Sequence, residues 1–400
     1  MVDVEQAEEI LRRHPFKPQI ESVTINASVG RVLAQSMVAD RDFPPFDRVM
    51  MDGIAICHER LAAGDRRFPV EATVGAGSNP ATSFSEAGCV EIMTGAALPA
   101  PYDTVIRYED VRISDGYAEV LVDAVVKGKS IHWQGSDKRA GDIIATAGRL
   151  IDPALIGIAA STGYAQLDAW SWPKIAAIAT GDELVPVEQT PNAYQIRSSN
   201  EHVIEAAFAQ LRVPVDRMHV NDNQDEVENL LKTCLEDYEV LLFLGGTSKG
   251  KYDYVPEILG KYGIDQHFHG VKQRPGKPLL FGSKGDSIFV FALPGNPVSA
   301  FMCLQRYVIR WLKNSLGLDA SRSLATLQEQ VKFNPPLTYY LQVECKVEDG
   351  RLWASPQEGR GSGDLANLTK SNAFMQLPAG RDVFEKDEQF PIIPFKPILS

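Results

Sequence analysis

Five apolar residues in a row, from Val240 to Leu244, stop at Gly245-Gly246 and are followed by Thr247, Ser248, Lys249, Lys251 and Asp253. A run with no polar alternation reads as a strand covered on both faces, which demands a layer of helices above and below it. The two glycines let the chain turn tightly and bring its backbone close to a ligand. A helix is expected next, with Pro256 tolerable in its first turn and Ile258 and Leu259 facing inward. Strand, glycine turn and helix N-terminus together form an anion cradle, because free N–H groups and the helix dipole point the same way. Alone, such a turn is also an ordinary strand-to-helix connection.

The same grammar begins at Pro173. A buried strand over 175–180 leads to Gly181, Asp182 and Glu183; a helix over 203–211, a strand over 213–220 and a helix over 225–235 precede the run at Val240. Alternating helices and buried strands specify an open, mostly parallel sheet, whose ligand crevice lies outside the carboxyl ends of the strands. The segments 180–183 and 245–248 both sit at such ends and are expected to face one crevice.

Outside this region the pattern differs. Short alternating runs between 54 and 144, separated by Gly, Pro and Asp, predict a β-rich domain, and residues from 325 onward predict a second, smaller one. Residues 4–13 form an amphipathic helix with Ala7, Ile10 and Leu11 on one side, and 29–35 and 153–163 are read as further helical pieces. A chain of 400 residues exceeds one ordinary core, so several domains are expected. Its net charge of -12 argues against nucleic acid as a partner, so any bound anion needs a local nest of N–H groups and a few placed cations. Five cysteines with no C-x-x-C spacing suggest neither a disulfide framework nor a thiolate zinc site, and fit a cytoplasmic protein. No apolar run approaches the ~20 residues that span a bilayer, and the acidic start is not that of a signal peptide.

Several loops carry groups suited to chemistry. Arg274 and Lys277 flank a Pro-Gly turn, where an anion would relieve their mutual repulsion. Asn296 and Ser299 stand where a long helix begins, positions that are otherwise plain caps. Asp52 lies in a turn before a short strand, and Thr94 follows another strand; both residue types also suit turns for purely local reasons.

Taken in order, these loops resemble a known family. The segments are Pro44-Pro45-Phe46-Asp47-Arg48 with Met51-Asp52-Gly53, then Met93-Thr94-Gly95-Ala96, and Gly135-x-Asp137-x-Arg139-x-Gly141-Asp142. Thr180-Gly181-Asp182-Glu183-Leu184, Ser199-Asn200 and Gly245-Gly246-x-Ser248-x-Gly250-x-x-Asp253-Tyr254 follow, then Pro275-Gly276-Lys277-Pro278 and Leu293-Pro294-Gly295-Asn296-Pro297-Val298-Ser299. Each is weak alone, but the ordered set over nearly the whole chain is similar to the molybdopterin molybdenumtransferases. That is the MoeA family, which includes the E domain of gephyrin and its plant counterpart.

The resemblance implies a multi-domain α/β plus β fold. A split helical linker domain would comprise 1–42 and 145–172, an inserted β-rich domain 43–144, the open α/β molybdopterin-binding domain 173–318, and a C-terminal β barrel 319–400. It implies a homodimer with intersubunit active sites, cleavage of adenylylated molybdopterin with release of AMP, and insertion of molybdate, with Mg2+ as cofactor and the molybdopterin adenylyltransferase as a partner. By motif position, Asp253 would serve metal binding or water positioning, with Glu183 as second metal ligand and Asp182 beside it. Gly245, Gly246, Thr247 and Ser248 would hold the pterin phosphate or the oxyanion. Arg274, Lys277, Ser299 and Ser362 would line the molybdate pocket, and Pro278 and Asn296 would also bind substrate. Asp52 and Thr94 would approach the α/β domain of the partner subunit. In three places the chain departs from the pattern: Arg274 stands where a lysine is usual, Gln342 where a C-terminal arginine is usual, and Ser198 where an Asp is usual. Two other functions use similar parts: a scaffold of the gephyrin type, and a nucleotide pyrophosphatase working with the same carboxylates.

Overall fold

The computed structural model describes residues 1–79, 83–246, 254–318, 322–357, 359 and 361–398. Its centre is a six-stranded sheet in the order Val215–Val220, Ile175–Thr180, Val240–Leu244, Ile288–Leu293, Leu280–Lys284, Asp265–His269. The first four strands are parallel; Leu280–Lys284 runs antiparallel to them, and Asp265–His269 antiparallel to it. Successive residues of Val240–Leu244 enter opposite cores: Val240, Leu242 and Leu244 pack on one face, Leu241 and Phe243 on the other. The continuous apolar run has this cause, since every side chain of the strand is buried.

Helices Asn200–Ala209 and Pro297–Cys303 contribute to one face, and Gln224–Asp237 and Val255–Lys261 to the other. The helix from Pro297 continues through a π-helical turn, Leu304–Ile309, into Arg310–Ser315. The N-terminal helix Val4–Arg13, closed by an Asp3–Gln6 capping box, buries Val4, Ala7 and Leu11 in this same first core.

Strands Ile20–Thr24 and Gln166–Trp170 pair antiparallel beside helix Pro153–Ser161, around a separate core that includes Leu33, Met37, Leu155 and Leu167. The helix expected over 29–35 does not form. Gly30 sits at φ 86°, and Val32 and Leu33 instead form β-bridges to Leu150 and Ala169. A glycine and two β-branched residues in seven positions weaken a helix, and the neighbouring strand edge provides the competing partner.

A second six-stranded sheet, with Gly53–Ile56 between Thr104–Arg107 and Cys89–Ile92, makes up the β-rich region. Gly53 is required there, because a Cβ would lie 1.9 Å from the carbonyl oxygen of Ile106. In the C-terminal region, Leu324–Leu327, Arg351–Pro356, Thr338–Glu348, Ala373–Leu377 and Gln389–Pro394 pair in a ring that closes on itself as a small barrel. Gln273–Arg274 adds to the Thr338–Glu348 strand in parallel and so joins the barrel to the α/β region. No helix among the described residues is long and apolar enough to cross a membrane.

Candidate active site

From strand Ile175–Thr180 the chain goes outward to Val215–Val220, then crosses back to Val240–Leu244 on the opposite side. The crevice of a parallel sheet opens where that reversal occurs, here between the ends at Thr180 and Leu244. Gly245, at φ 106°, passes so close that a Cβ would stand 2.8 Å from Thr180 Oγ1. Only glycine allows this approach. Thr180 Oγ1 is itself buried and has no hydrogen-bond partner among the described residues.

Above these ends is a lobe of 470 Å³ lined by Thr180, Glu183, Asp222, Gly245, Gly246 and the start of helix Asn200–Ala209, among others. Ser199, at the N-cap of that helix, makes no side-chain cap, and the Asn200 amide instead donates to Gly295 O at 2.7 Å. The helix N-terminus therefore lies at the lobe without a side chain satisfying its first N–H groups. Glu183 is exposed and turns back over Gly181, whose added Cβ would fall 2.7 Å from Glu183 Oε2. Asp182 does not line the lobe; its carboxylate accepts the backbone N–H of Asp222 at 3.0 Å and so positions the neighbouring loop.

A second lobe, of 530 Å³, lies between the α/β region and the barrel and contains Arg274, Lys277, Ser299, Gln342 and Ser362. The two lobes share Pro278, Pro294 and Asn296 as a common wall. Asn296 occupies the N-cap of the long helix but makes no side-chain cap there; its amide donates to Ser362 Oγ at 3.0 Å, and Val298 N–H donates to Ser362 O at 3.1 Å. One barrel loop is thus tied to the helix start.

The turn carrying the two cations is rigidly backed. Gln273 is fully buried, donates from Nε2 to Gly276 O at 2.9 Å and accepts from the Tyr307 hydroxyl. Gly276, at φ 86°, has no room for a Cβ, which would meet Cys303 Sγ at 2.5 Å. The Arg274 guanidinium stands 6.0 Å over the Phe333 ring, which stacks on Tyr339 at 4.2 Å. A planar guanidinium suits such a surface. Gln342 is held by Asn367, whose amide donates to Gln342 Oε1 at 3.3 Å.

The two lobes differ in charge. Among the described residues, the first is lined by Glu183, Glu201 and Asp222 against one cation, Arg197; Glu201 accepts from the Ser198 hydroxyl at 2.6 Å. The second has Arg274 and Lys277 and no carboxylate among its described lining residues.

The structure therefore brings together Glu183, Gly245, Gly246, Pro278 and Asn296 around one lobe, and Arg274, Lys277, Pro278, Asn296, Ser299 and Ser362 around the other. Thr247, Ser248 and Asp253 lie outside the described residues. Asp52 and Thr94 line neither lobe; they meet each other, Asp52 Oδ1 accepting from Thr94 N at 2.7 Å and Thr94 Oγ1 at 2.8 Å. Those bonds, the backbone one first, hold the Asp52 carboxyl below its ordinary value. Asp222 was not singled out from sequence, and Thr180 only as part of the segment 180–183. Asp222 stands just beyond strand Val215–Val220, so the rule that pointed to 180–183 and 245–248 would have found it.

Three family models match successive parts of the chain: the MoeA N-terminal region (domain I and II) over residues 2–163, the probable molybdopterin binding domain over 176–314, and the MoeA C-terminal region (domain IV) over 325–395. A molybdopterin molybdenumtransferase from Synechocystis is 35% identical over 395 residues, covering 98% of this chain and 99% of that protein. The chain belongs to the MoeA family. A Staphylococcus epidermidis molybdopterin molybdenumtransferase is 29% identical over 389 residues, 95% of this chain and 92% of that protein. A molybdopterin biosynthesis MoeA protein from Pyrococcus horikoshii has the same fold over 99% of this chain and all of its own, with a TM-score of 0.84 and 25% identity. The MoeA fold therefore extends over both lobes and over the region that bears Asp52 and Thr94.

Proposed function

We propose that this MoeA-family chain is a molybdopterin molybdenumtransferase of molybdenum cofactor biosynthesis: it cleaves adenylylated molybdopterin, releases AMP and inserts molybdate. The observation that carries this reading is the pair of adjoining lobes with one shared wall, whose described linings are of opposite charge. The first offers a helix N-terminus, a glycine turn and carboxylates to a pyrophosphate-linked nucleotide. The second offers two cations and hydroxyls to a tetrahedral oxyanion. A substrate bound across Pro278 and Asn296 would have its phosphates in one lobe and its sulfurs at the mouth of the other.

In this reading Gly245, Gly246 and the first turn at Asn200 hold the phosphates through backbone N–H groups, together with Thr247 and Ser248 by motif position. Arg274 and Lys277 neutralise molybdate, and Ser299 and Ser362 hydrogen-bond its oxygens. Glu183 and Asp253 are the proposed carboxylates for the phosphate bond. The chemistry of the first lobe fits Mg2+: it has Glu183 and Asp222, while no three His, Cys, Asp or Glu side chains among the described residues form a ready-made metal cage. Mg2+ characteristically takes one or two carboxylates and completes its shell with phosphate oxygens and water. Bound there, it would neutralise charge developing on the scissile phosphate. In this reading the chain is a homodimer in which Asp52 and Thr94, which line neither lobe of their own chain, approach the partner's first lobe. A gephyrin-type scaffold needs neither the carboxylates nor the cation pair.

The test is incubation with adenylylated molybdopterin while AMP is followed with and without molybdate. AMP release coupled to molybdenum insertion is expected. AMP release from unrelated dinucleotides at the same rate would make the chain a pyrophosphatase, and no release would leave a binding role.

A further inference from the structure

A separate cavity of 160 Å³ lies between the helices Val4–Arg13 and Arg310–Ser315. Its lining includes Glu8, Arg12, Arg306, Arg310 and Asn314. Three guanidiniums converge on one carboxylate. Arg306 Nη1 lies 2.7 Å from Glu8 Oε1, Arg310 Nε lies 3.6 Å from the same oxygen, and Arg322 pairs with Oε2. Arg12 adds a cation at the rim, balanced by its own pairing with Glu9.

Among the described residues the sum of these charges is two positive units in excess, Arg322 standing just outside the cavity lining, in a chain whose net charge is -12. Arg306 is 1% exposed, so water screens it poorly, and its Nη2 has no hydrogen-bond partner among the described residues. The surplus is felt by its neighbour: burial, and then the charge of Arg306, pull the Arg310 guanidinium below its usual value. A core that needed only a structural ion pair would satisfy Glu8 with one arginine. Three leave a field that an anion of two charges would cancel.

We propose that this cavity is a second anion site, for a tetrahedral divalent oxyanion of the phosphate type, distinct from the molybdate lobe. Guanidinium forks suit the paired oxygens of such an ion. The cavity has room for roughly five waters at ~30 Å³ each, enough for one such ion and part of its hydration shell. The site also borders the front lobe. Arg306 Nε donates to Tyr340 Oη at 3.1 Å, Tyr307 donates to Gln273, and both Tyr340 and Gln273 line the oxyanion lobe. An occupant would therefore brace the wall behind Arg274 and Lys277. The proposal does not depend on the function assigned to the front lobes.

The experiment is calorimetric and 31P NMR titration of the full chain with inorganic phosphate. One phosphate site is expected to survive Arg274→Ala/Lys277→Ala, which empties the front lobe of cations. That site should weaken at least tenfold in Arg310→Gln and in Arg322→Gln, recover in part with Arg310→Lys, and weaken as ionic strength rises. Arg322 is 33% exposed, so its variant keeps the test valid if Arg310→Gln fails to fold. Displacement of phosphate by AMP would assign the site to a nucleotide's terminal phosphate, and displacement by sulfate or molybdate alone to a free oxyanion; either result supports it. Loss of all phosphate binding in the front-lobe variant, or an unchanged affinity in both Arg310→Gln and Arg322→Gln, would overturn it.

Discussion

Gly276→Ala is the most direct perturbation of the turn that presents Arg274 and Lys277. Two costs arise. The backbone stays at φ 86°, where a side chain adds about 1–2 kcal/mol. The new Cβ would also stand 2.5 Å from Cys303 Sγ, 2.9 Å from Met302 Cε and 3.0 Å from Gln273 Nε2. Met302 can rotate its terminal methyl away. Gln273 is fixed by its bonds to Gly276 O and Tyr307, and Cys303 is fully buried on the long helix. Overpacking of this kind costs about 1–3 kcal/mol, so the whole effect is about 2–5 kcal/mol. A chain with several cores does not unfold in one step, so the measurement is hydrogen exchange of the amides in strand Ile288–Leu293, beside the affected helix. Cys303→Ala removes the closest obstacle but not the strain in φ. The double variant should therefore be more stable than the sum of the two single changes by about 1 kcal/mol or more. In activity, the variant should need more molybdate while AMP release changes less. Exchange within ~0.5 kcal/mol of wild type, together with unchanged molybdate dependence, would refute the claim that Gly276 holds the turn in place.

Four further outcomes are expected. Burial alone would raise the Glu8 pKa, but Arg306 and Arg322 hold it down to about 2 from 4.5, so its contribution of about 3 kcal/mol is complete above the ordinary value and is lost as pH falls toward 2. Glu8→Gln should remove that acid-dependent step from thermal unfolding measured between pH 2 and pH 6, and an unchanged pH profile would contradict the ion cluster. Thr94→Ala should raise the Asp52 pKa only part-way to its ordinary value, because the backbone N–H remains; carbon NMR of the carboxyl group reads this, and no change would exclude the hydroxyl bond. Lys277→Ala should raise the molybdate needed for half-maximal insertion about tenfold or more, and Gln342→Arg should lower it; no movement in either would place the oxyanion elsewhere. Asp52→Ala and Asp253→Ala chains, each inactive alone, should regain activity when mixed and exchanged, and failure after demonstrated exchange would put the whole site in one subunit.

What was legible in the sequence was whatever a local pattern fixes. The double-sided burial of Val240–Leu244 followed from its unbroken apolar run, and the crevice position followed from strand ends alone, so Glu183, Gly245 and Gly246 could be named before any contact was known. Residues whose position depends on a distant partner were not legible. Val32 and Leu33 carry an acceptable helix pattern, and only Leu150 and Ala169 decide that they bridge as strand. Asn296 reads as a helix cap until Ser362, 66 positions on, takes its amide. The two carboxylates Asp182 and Asp222 show the same limit most clearly. Motif position favours Asp182, but its side chain is engaged by the N–H of Asp222, and it is Asp222 that borders the lobe. A carboxylate that accepts a backbone N–H is already oriented and less free to take a ligand. Asp182 therefore acts by setting where the Asp222 backbone stands at the edge of the lobe, a role that no local pattern in the sequence reveals.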